Sequence, residues 1–75
     1  MSLRDQAHSG TLTDKQSAAL NLVKEGLGDK EIAELLGVSR GAVSNRITHG
    51  ILPRLGANNR AHAVYLAMTR GILDW

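Results

Sequence analysis

The residues best suited to chemistry in this chain are small, polar and spaced along one face of a predicted helix. The stripe consists of Gly41, Asn45 and Thr48, with Ser44 and His49 at its flanks. Hydroxyl and amide groups donate and accept hydrogen bonds, and a residue as small as glycine permits close approach. Arg40 and Arg46 stand at the margins, where guanidinium groups suit phosphate oxygens. Such a face fits base edges that lie between two rows of phosphates.

The helix that carries this stripe follows another helix across a tight turn, within residues 29–48. Asp29 is the predicted cap of the first helix, Gly37 can adopt the positive φ that ends it, and Ser39 can cap the second. Ala33 is small enough for the two helices to cross closely. The residues predicted to face inward are Ile32, Ala33, Leu35, Leu36, Val38, Val43 and Ile47. The pattern predicts a helix-turn-helix, which presents one helix to a DNA major groove while the other braces it.

Two further helices complete the predicted domain. Thr13 and Gln16 form a capping-box pattern that starts the first, and Asn59 is a good cap for the last, which is predicted to continue to Trp75. Their predicted core-facing residues are Ala19, Leu20, Val23, Leu27, Ala63, Val64, Leu66 and Ala67. A second apolar set on the last helix either completes the core or forms a two-fold interface: Tyr65, Met68, Ile72 and Trp75.

Composition limits the protein to one small domain. The 75 residues are 43% hydrophobic, with no Cys, no Phe, one Tyr and one Trp, which favours several short helices around an aliphatic core. No apolar run approaches the roughly 18 residues of a membrane span, and the start lacks a signal peptide. We expect a soluble, cytoplasmic, all-α domain over residues 11–75. Residues 1–10 are interpreted as a flexible tail or partly a cloning remnant.

The charge is unevenly distributed along the chain. Residues 1–34 hold six acidic and four basic residues, whereas residues 35–73 hold five arginines and no acidic residue. A solvated surface would explain part of this asymmetry, but arginine without lysine favours forked contacts with phosphate. Double-stranded DNA is the favoured partner.

An enzyme or a metal site is not expected. His8, His49 and His62 lack the mutual spacing and the neighbouring carboxylates of a metal site. Ser39, Ser44 and His49 lack the orienting acid and oxyanion loop of a nucleophilic triad. No cofactor is required for the predicted function.

From Leu12 to about Gly71 the chain resembles the C-terminal DNA-binding domain of LuxR-type (NarL/FixJ-like) transcriptional regulators. The residues that carry the resemblance are Leu12-Thr13, Glu25 to Leu27, Lys30 to Ser39, Val43, Leu55-Gly56, Asn59-Arg60 and Ala63-Val64. The resemblance implies a four-helix fold whose third helix reads the major groove.

The same resemblance assigns roles to individual residues. The base-facing positions of the family fall on Ser44, Asn45 and Thr48, beside Gly41 on the face selected above. The phosphate contacts of the family fall on Lys30, Arg46, Arg54 and Arg60. Ser39 and Arg40, at the start of the third helix, complete the predicted phosphate-binding set. The family often pairs protomers through helix four, which implies a homodimer through the Tyr65, Met68, Ile72 and Trp75 set.

Two departures from the family pattern concern the end of the third helix. Between Val43 and Leu55 the chain holds one residue more than usual. Gly50 and Pro53 also lie where an uninterrupted helix is normal. Because Pro53 lacks an amide hydrogen and disfavours helical geometry at Leu52, we expect the helix to end or kink between Gly50 and Pro53.

The sequence therefore predicts a sequence-specific DNA-binding module that regulates transcription. One alternative is the promoter-reading domain of a sigma factor, which would add RNA polymerase as a partner. Another is a helical protein-interaction module that has lost DNA binding.

Overall fold

The computed structural model describes residues 12–74, and helices are the regular secondary structure found there. Helices α1, α2 and α4 span Asp14–Lys24, Asp29–Leu36 and Arg60–Thr69. Helix α3 has three consecutive segments, which are α-helical over Arg40–Asn45, π-helical over Arg46–Ile51 and α-helical over Leu52–Leu55. The predicted all-α, four-helix class is confirmed. The predicted tail, residues 1–10, and Trp75 lie outside the described residues.

The predicted start of α1 and the predicted start of α4 are both confirmed. At α1, Thr13 Oγ1 accepts a hydrogen bond from Gln16 N at 3.1 Å, and Gln16 Oε1 accepts one from Thr13 N at 3.0 Å. At α4, Asn59 Oδ1 accepts a hydrogen bond from His62 N at 2.8 Å. These side chains satisfy amide groups that have no partner in the first turn of a helix.

The turn between α2 and α3 also forms as the sequence predicts. Gly37 has φ 72° and ends α2, and Ser39 Oγ accepts a hydrogen bond from Ala42 N at 3.0 Å. Asp29, however, is not the cap of α2. Gly28 occupies that position, and its N–H donates to Glu31 Oε1 at 2.8 Å. The carboxylate of Asp29 instead binds Arg60.

The core is aliphatic and draws on every helix. The buried residues are Leu12, Ala19, Leu20, Ile32, Ala33, Val43, Ile47, Ile51, Leu55, Ala63, Ala67 and Leu73. Helix α1 packs against α2, α4 and the π-helical segment, while α2 packs against α3. Leu35 is 65% exposed, so its predicted inward position is wrong. Since Ile32 and Leu36 already meet the core, the helical rotation of α2 carries Leu35 outward.

Helix α4 ends earlier than predicted. It stops at Thr69, and Gly71 follows with φ 76°. Ile72 N then donates to Ala67 O at 2.8 Å, which turns the chain back and buries Leu73 against the core. A glycine in the left-handed conformation ends a helix in this way because it carries no Cβ.

Helix α3 does not end between Gly50 and Pro53, so the prediction that it ends there is wrong. The helix continues through both residues and ends at Gly56, which has φ 69°. Leu52 stays helical, with φ −59° and ψ −47°. Pro53 is tolerated because it lies in the first turn of the last segment, where its missing N–H is not required by that segment.

The π-helical segment explains how the apolar residues of α3 stay on one side of the helix. The buried residues of α3 recur every four positions: Val43, Ile47, Ile51 and Leu55. In a uniform α-helix each four-residue step overshoots a full turn by about 40°. A π-helical turn is wider because its hydrogen bonds join residues five apart, as from Leu52 N to Ile47 O. The wider turn offsets the drift and keeps the four side chains on one face.

No helix within residues 12–74 is both long and apolar enough to cross a membrane.

Candidate nucleic-acid interface

The predicted base-reading residues lie on the outer side of α3. Gly41, Asn45 and Thr48 are exposed, and Ser44 is half-buried. A Cβ built on Gly41 would have nothing closer than Ser39 Oγ at 4.0 Å, so the surface there is open. The structure therefore brings all four residues to one accessible face.

Buried side chains fix the orientation of this face. Val43 and Ile47 are 0% exposed and lie on the opposite side of α3 from Asn45. Ala33 on α2 is 5% exposed, which reflects the close crossing that its small side chain allows. Because rotation of α3 would pull two aliphatic side chains out of the core, the polar face has a fixed direction.

The predicted phosphate-binding residues surround the polar face but differ in exposure. Three of them are exposed near the ends of α2 and α3: Lys30, Ser39 and Arg40. Arg54 is exposed on the last segment of α3, and Arg46 is half-buried on the π-helical segment. The Oγ of Ser39 accepts the capping hydrogen bond from Ala42 N, and its O–H remains able to donate a hydrogen bond to an anion.

Arg60 is held by an acidic partner that the sequence did not assign to it. Its guanidinium group donates two hydrogen bonds to the carboxylate of Asp29, one of them at 2.9 Å from Nη2 to Oδ2. The hydrogen bonds from Arg60 lower the pKa of Asp29, and the same contact raises the pKa of Arg60. The pair joins the start of α2 to the start of α4 and keeps both groups charged.

One cationic residue of this region was missed. Lys15 on α1 and Arg46 on α3 line an open surface groove, together with Ala18, Leu36 and Val38. In the sequence Lys15 falls on the solvent side of an amphipathic helix, and nothing in that local pattern indicates that α3 passes beside it. Only the packing of α1 against the π-helical segment reveals the proximity.

The residues predicted for a dimer interface divide between surface and core. Tyr65 is 60% exposed on α4. Met68 and Ile72 are half-buried and pack against the core. The described part of this set thus combines one surface aromatic ring with two residues that also stabilise the monomer.

His62 has a local role at the start of α4. Its Nδ1 accepts a hydrogen bond from Asn58 N at 3.0 Å. Within the part of the chain that the structure describes, no three His, Cys, Asp or Glu residues lie together as a metal site would require.

Comparison with known proteins gives a family for this arrangement. The family of bacterial regulatory proteins, luxR family, matches residues 10–67. The chain is 42% identical over 71 residues to the transcriptional regulatory protein YdfI of Bacillus subtilis, covering 95% of this chain and 33% of that protein. It is 35% identical over 65 residues to the transcriptional regulatory protein DesR of the same organism, covering 87% of this chain and 32% of that protein.

The chain thus spans about one third of the length of these curated relatives. The matched family covers all four helices except the last two residues of α4, and it includes the whole helix-turn-helix. The chain therefore belongs to the luxR family of bacterial regulatory proteins and is a DNA-binding, helix-turn-helix module of transcription regulation.

Proposed function

We propose that α3 enters the DNA major groove and that Gly41, Ser44, Asn45 and Thr48 face the base edges. The observation that carries this proposal is the exposed, uncharged face of α3, which is held opposite fully buried Val43 and Ile47. An amide such as that of Asn45 can make a two-bonded contact with adenine. The two hydroxyl groups can serve as donors or acceptors for several bases.

The flanking cations would hold the duplex on either side of this face. The side chains that contact phosphates are those of Lys30, Arg40, Arg46 and Arg54. Backbone N–H groups in the first turn of α3, after Ser39, contact a further phosphate. Residues 35–73 contain no acidic residue that would repel the duplex. Phosphate contacts of this kind set the register of the protein and provide affinity without sequence preference.

Arg60 has a double role in this proposal. Asp29 fixes its guanidinium group, while the 36% exposure of the side chain leaves a surface for a phosphate. Arg60→Ala should therefore weaken binding to every duplex, and it should also leave Asp29 without its partner.

The salt dependence of binding tests whether the module contacts phosphates. Labelled duplexes are titrated with the protein at several salt concentrations. Each neutralised phosphate contributes about 0.9 to the slope of log affinity against log salt, so several contacts should give a steep slope. A flat response, or no binding, would remove the proposed function.

A pair of variants on the same helix separates base reading from phosphate binding. Asn45→Ala should reduce the preference for one base pair of the selected target by about 1–3 kcal/mol. Arg40→Ala should weaken binding to target and random DNA alike and reduce the salt slope by about 1. Equal losses from both variants on both duplexes would contradict the assignment.

We also propose that the regulator works in the bacterial cytoplasm as a homodimer that pairs through α4. Two modules bury more surface than one, and their symmetry matches palindromic half-sites. Sedimentation should show concentration-dependent association that Tyr65→Ala reduces without loss of stability, because that ring is exposed. A monomer at all concentrations would exclude this interface.

A pull-down with RNA polymerase tests the sigma-factor alternative.

A further inference from the structure

The four-residue period of α3 applies to its exposed side as well as to its buried side. Starting at Gly41, steps of four residues reach Asn45 and then His49, and all three residues are exposed. Starting at Val43, the same steps reach Ile47 and Ile51, which are 0% exposed. The two series lie two residues apart, which corresponds to opposite sides of a helix.

The π-helical segment is what brings His49 into this exposed series. In a uniform α-helix, two steps of four residues would rotate His49 about 80° away from Gly41. The wider turns of Arg46–Ile51 reduce the angle per residue and offset that rotation.

We propose that His49 is a further base-reading residue and that it recognises the major-groove edge of a purine. The inference rests on the proposed function of α3. The exposed series from Gly41 to His49 covers at most about 12 Å along the helix at 1.5 Å per residue. A major groove is about 12 Å wide, so His49 and Asn45 can face bases in the same groove.

The imidazole group suits this task chemically. One ring nitrogen carries a hydrogen and donates a hydrogen bond. Guanine and adenine both present N7 as an acceptor in the major groove, and guanine adds O6. The contact would therefore favour a purine on one particular strand, at a base pair different from the one that Asn45 reads.

The experiment begins with binding-site selection on random duplexes by the wild-type chain. Affinities of wild type, His49→Ala, His49→Gln and Asn45→Ala are then measured on the selected site and on every single-base-pair variant of it. His49→Ala should lose roughly 2- to 13-fold discrimination at one purine position, different from the position affected by Asn45→Ala. His49→Gln, which retains an N–H donor, should lose less.

A modified base gives a direct probe of the proposed contact. Replacing the purine at that position by its 7-deaza analogue removes the N7 acceptor. Wild type should bind the modified duplex more weakly than the natural one, whereas His49→Ala should bind both equally. Because His49 is exposed, circular dichroism should show an unchanged helical fold in His49→Ala and in His49→Gln.

The outcomes separate this inference from the function on which it rests. If His49→Ala weakens all duplexes uniformly, His49 contacts phosphate and the inference is wrong. It is also wrong if His49→Ala retains full discrimination while Asn45→Ala loses it, although the proposed function then stands. If the wild-type chain selects no sequence, the proposed function and this inference both fail.

Discussion

Helix α3 has two halves, followed by the short segment Leu52–Leu55, and the two halves owe their shapes to different interactions. The first half, Arg40–Asn45, is an ordinary α-helix with a serine cap that residue types alone specify. The second half, Arg46–Ile51, is π-helical and passes against α1, and its shape depends on contacts with distant residues. The difference indicates that the start of the reading helix is set locally, while its continuation is set by the core.

The largest effect should come from truncating a core residue of the π-helical half, which contributes Ile47 and Ile51. Ile51→Ala should lower the free energy of unfolding by about 2–5 kcal/mol, because it leaves a cavity beside α1. Urea unfolding measures the loss, and Ile51→Val should cost only about 0.5–1.5 kcal/mol if the alanine variant does not fold. Leu35→Ala is the control at an apolar position that is 65% exposed. Equal costs for Ile51→Ala and Leu35→Ala would show that the π-helical half is not part of the core.

Loss of the serine cap should destabilise the first half of α3 through a purely local contact. Ser39→Ala should destabilise the fold by about 1 kcal/mol, because Ala42 N would lose its hydrogen-bond partner. Ser44→Ala, on the same helix but away from the cap, should stay within about 0.5 kcal/mol. Urea titrations of both variants provide the comparison. A larger loss from Ser44→Ala would contradict the local origin of this half.

Two glycine substitutions contrast the halves directly. A Cβ on Gly50 would lie 3.0 Å from Gln16 Nε2, whereas a Cβ on Gly41 meets open space. Gly41→Ala should therefore stabilise the fold by about 0.5–1 kcal/mol, because alanine favours helix. Gly50→Ala should give no such gain, since displacing Gln16 disrupts the capping box of α1.

The Gly50 effect should disappear when Gln16 is shortened. When Gln16 is replaced by alanine, Gly50→Ala should stabilise the fold by the same amount as we expect for Gly41→Ala. Thermal unfolding of the four variants of this cycle measures the coupling between the two positions. Additive effects would mean that the contact with α1 does not shape the π-helical half.

The smallest effect concerns the ion pair that lies outside both halves. The pKa of Asp29 is lowered in the folded state by its hydrogen bonds with Arg60. The stabilisation by Asp29 is therefore complete when the pH is above about 3.9, the pKa of an aspartate in the unfolded chain. It is lost as the pH falls through the lower pKa of the folded state. Asp29→Asn should cost less than about 1 kcal/mol at neutral pH, since the pair is partly exposed.

The pH profile distinguishes this pair from general acid unfolding. Urea unfolding between about pH 2 and 5 should show a shallower loss of stability in Asp29→Asn than in the wild type. Adding Arg60→Ala to Asp29→Asn should not flatten the profile further. Unchanged pH dependence in Asp29→Asn would show that the ion pair does not stabilise the fold.

Local sequence rules predicted most of the architecture but failed at particular positions. Thr13, Ser39 and Asn59 cap helices as their side chains suggested. Asp29 was also a reasonable cap by type, yet it binds Arg60, thirty-one positions away in the chain. A side chain that can satisfy either a local amide or a distant guanidinium group is decided by tertiary contacts.

The candidate site shows the same division. The outward position of Gly41, Asn45 and Thr48 follows from helical periodicity and is observed. Helical periodicity did not reveal that Lys15 lines a groove with Arg46, because α1 and α3 become neighbours only after folding. The sequence therefore predicted which residues form the polar face, but it did not predict which residues of other helices lie beside that face.

The sequence by itself determined the four-helix class, the helix-turn-helix and the face of α3 that stays outside the core, because capping side chains, glycines and apolar spacing act within a few residues. Only the tertiary structure decided that α3 continues past Gly50 and Pro53. Its apolar residues recur every four positions, and an ordinary α-helix would rotate them out of the core. Burying all four against α1 and α4 favours a wider turn, and this turn also sets which exposed residues follow Asn45.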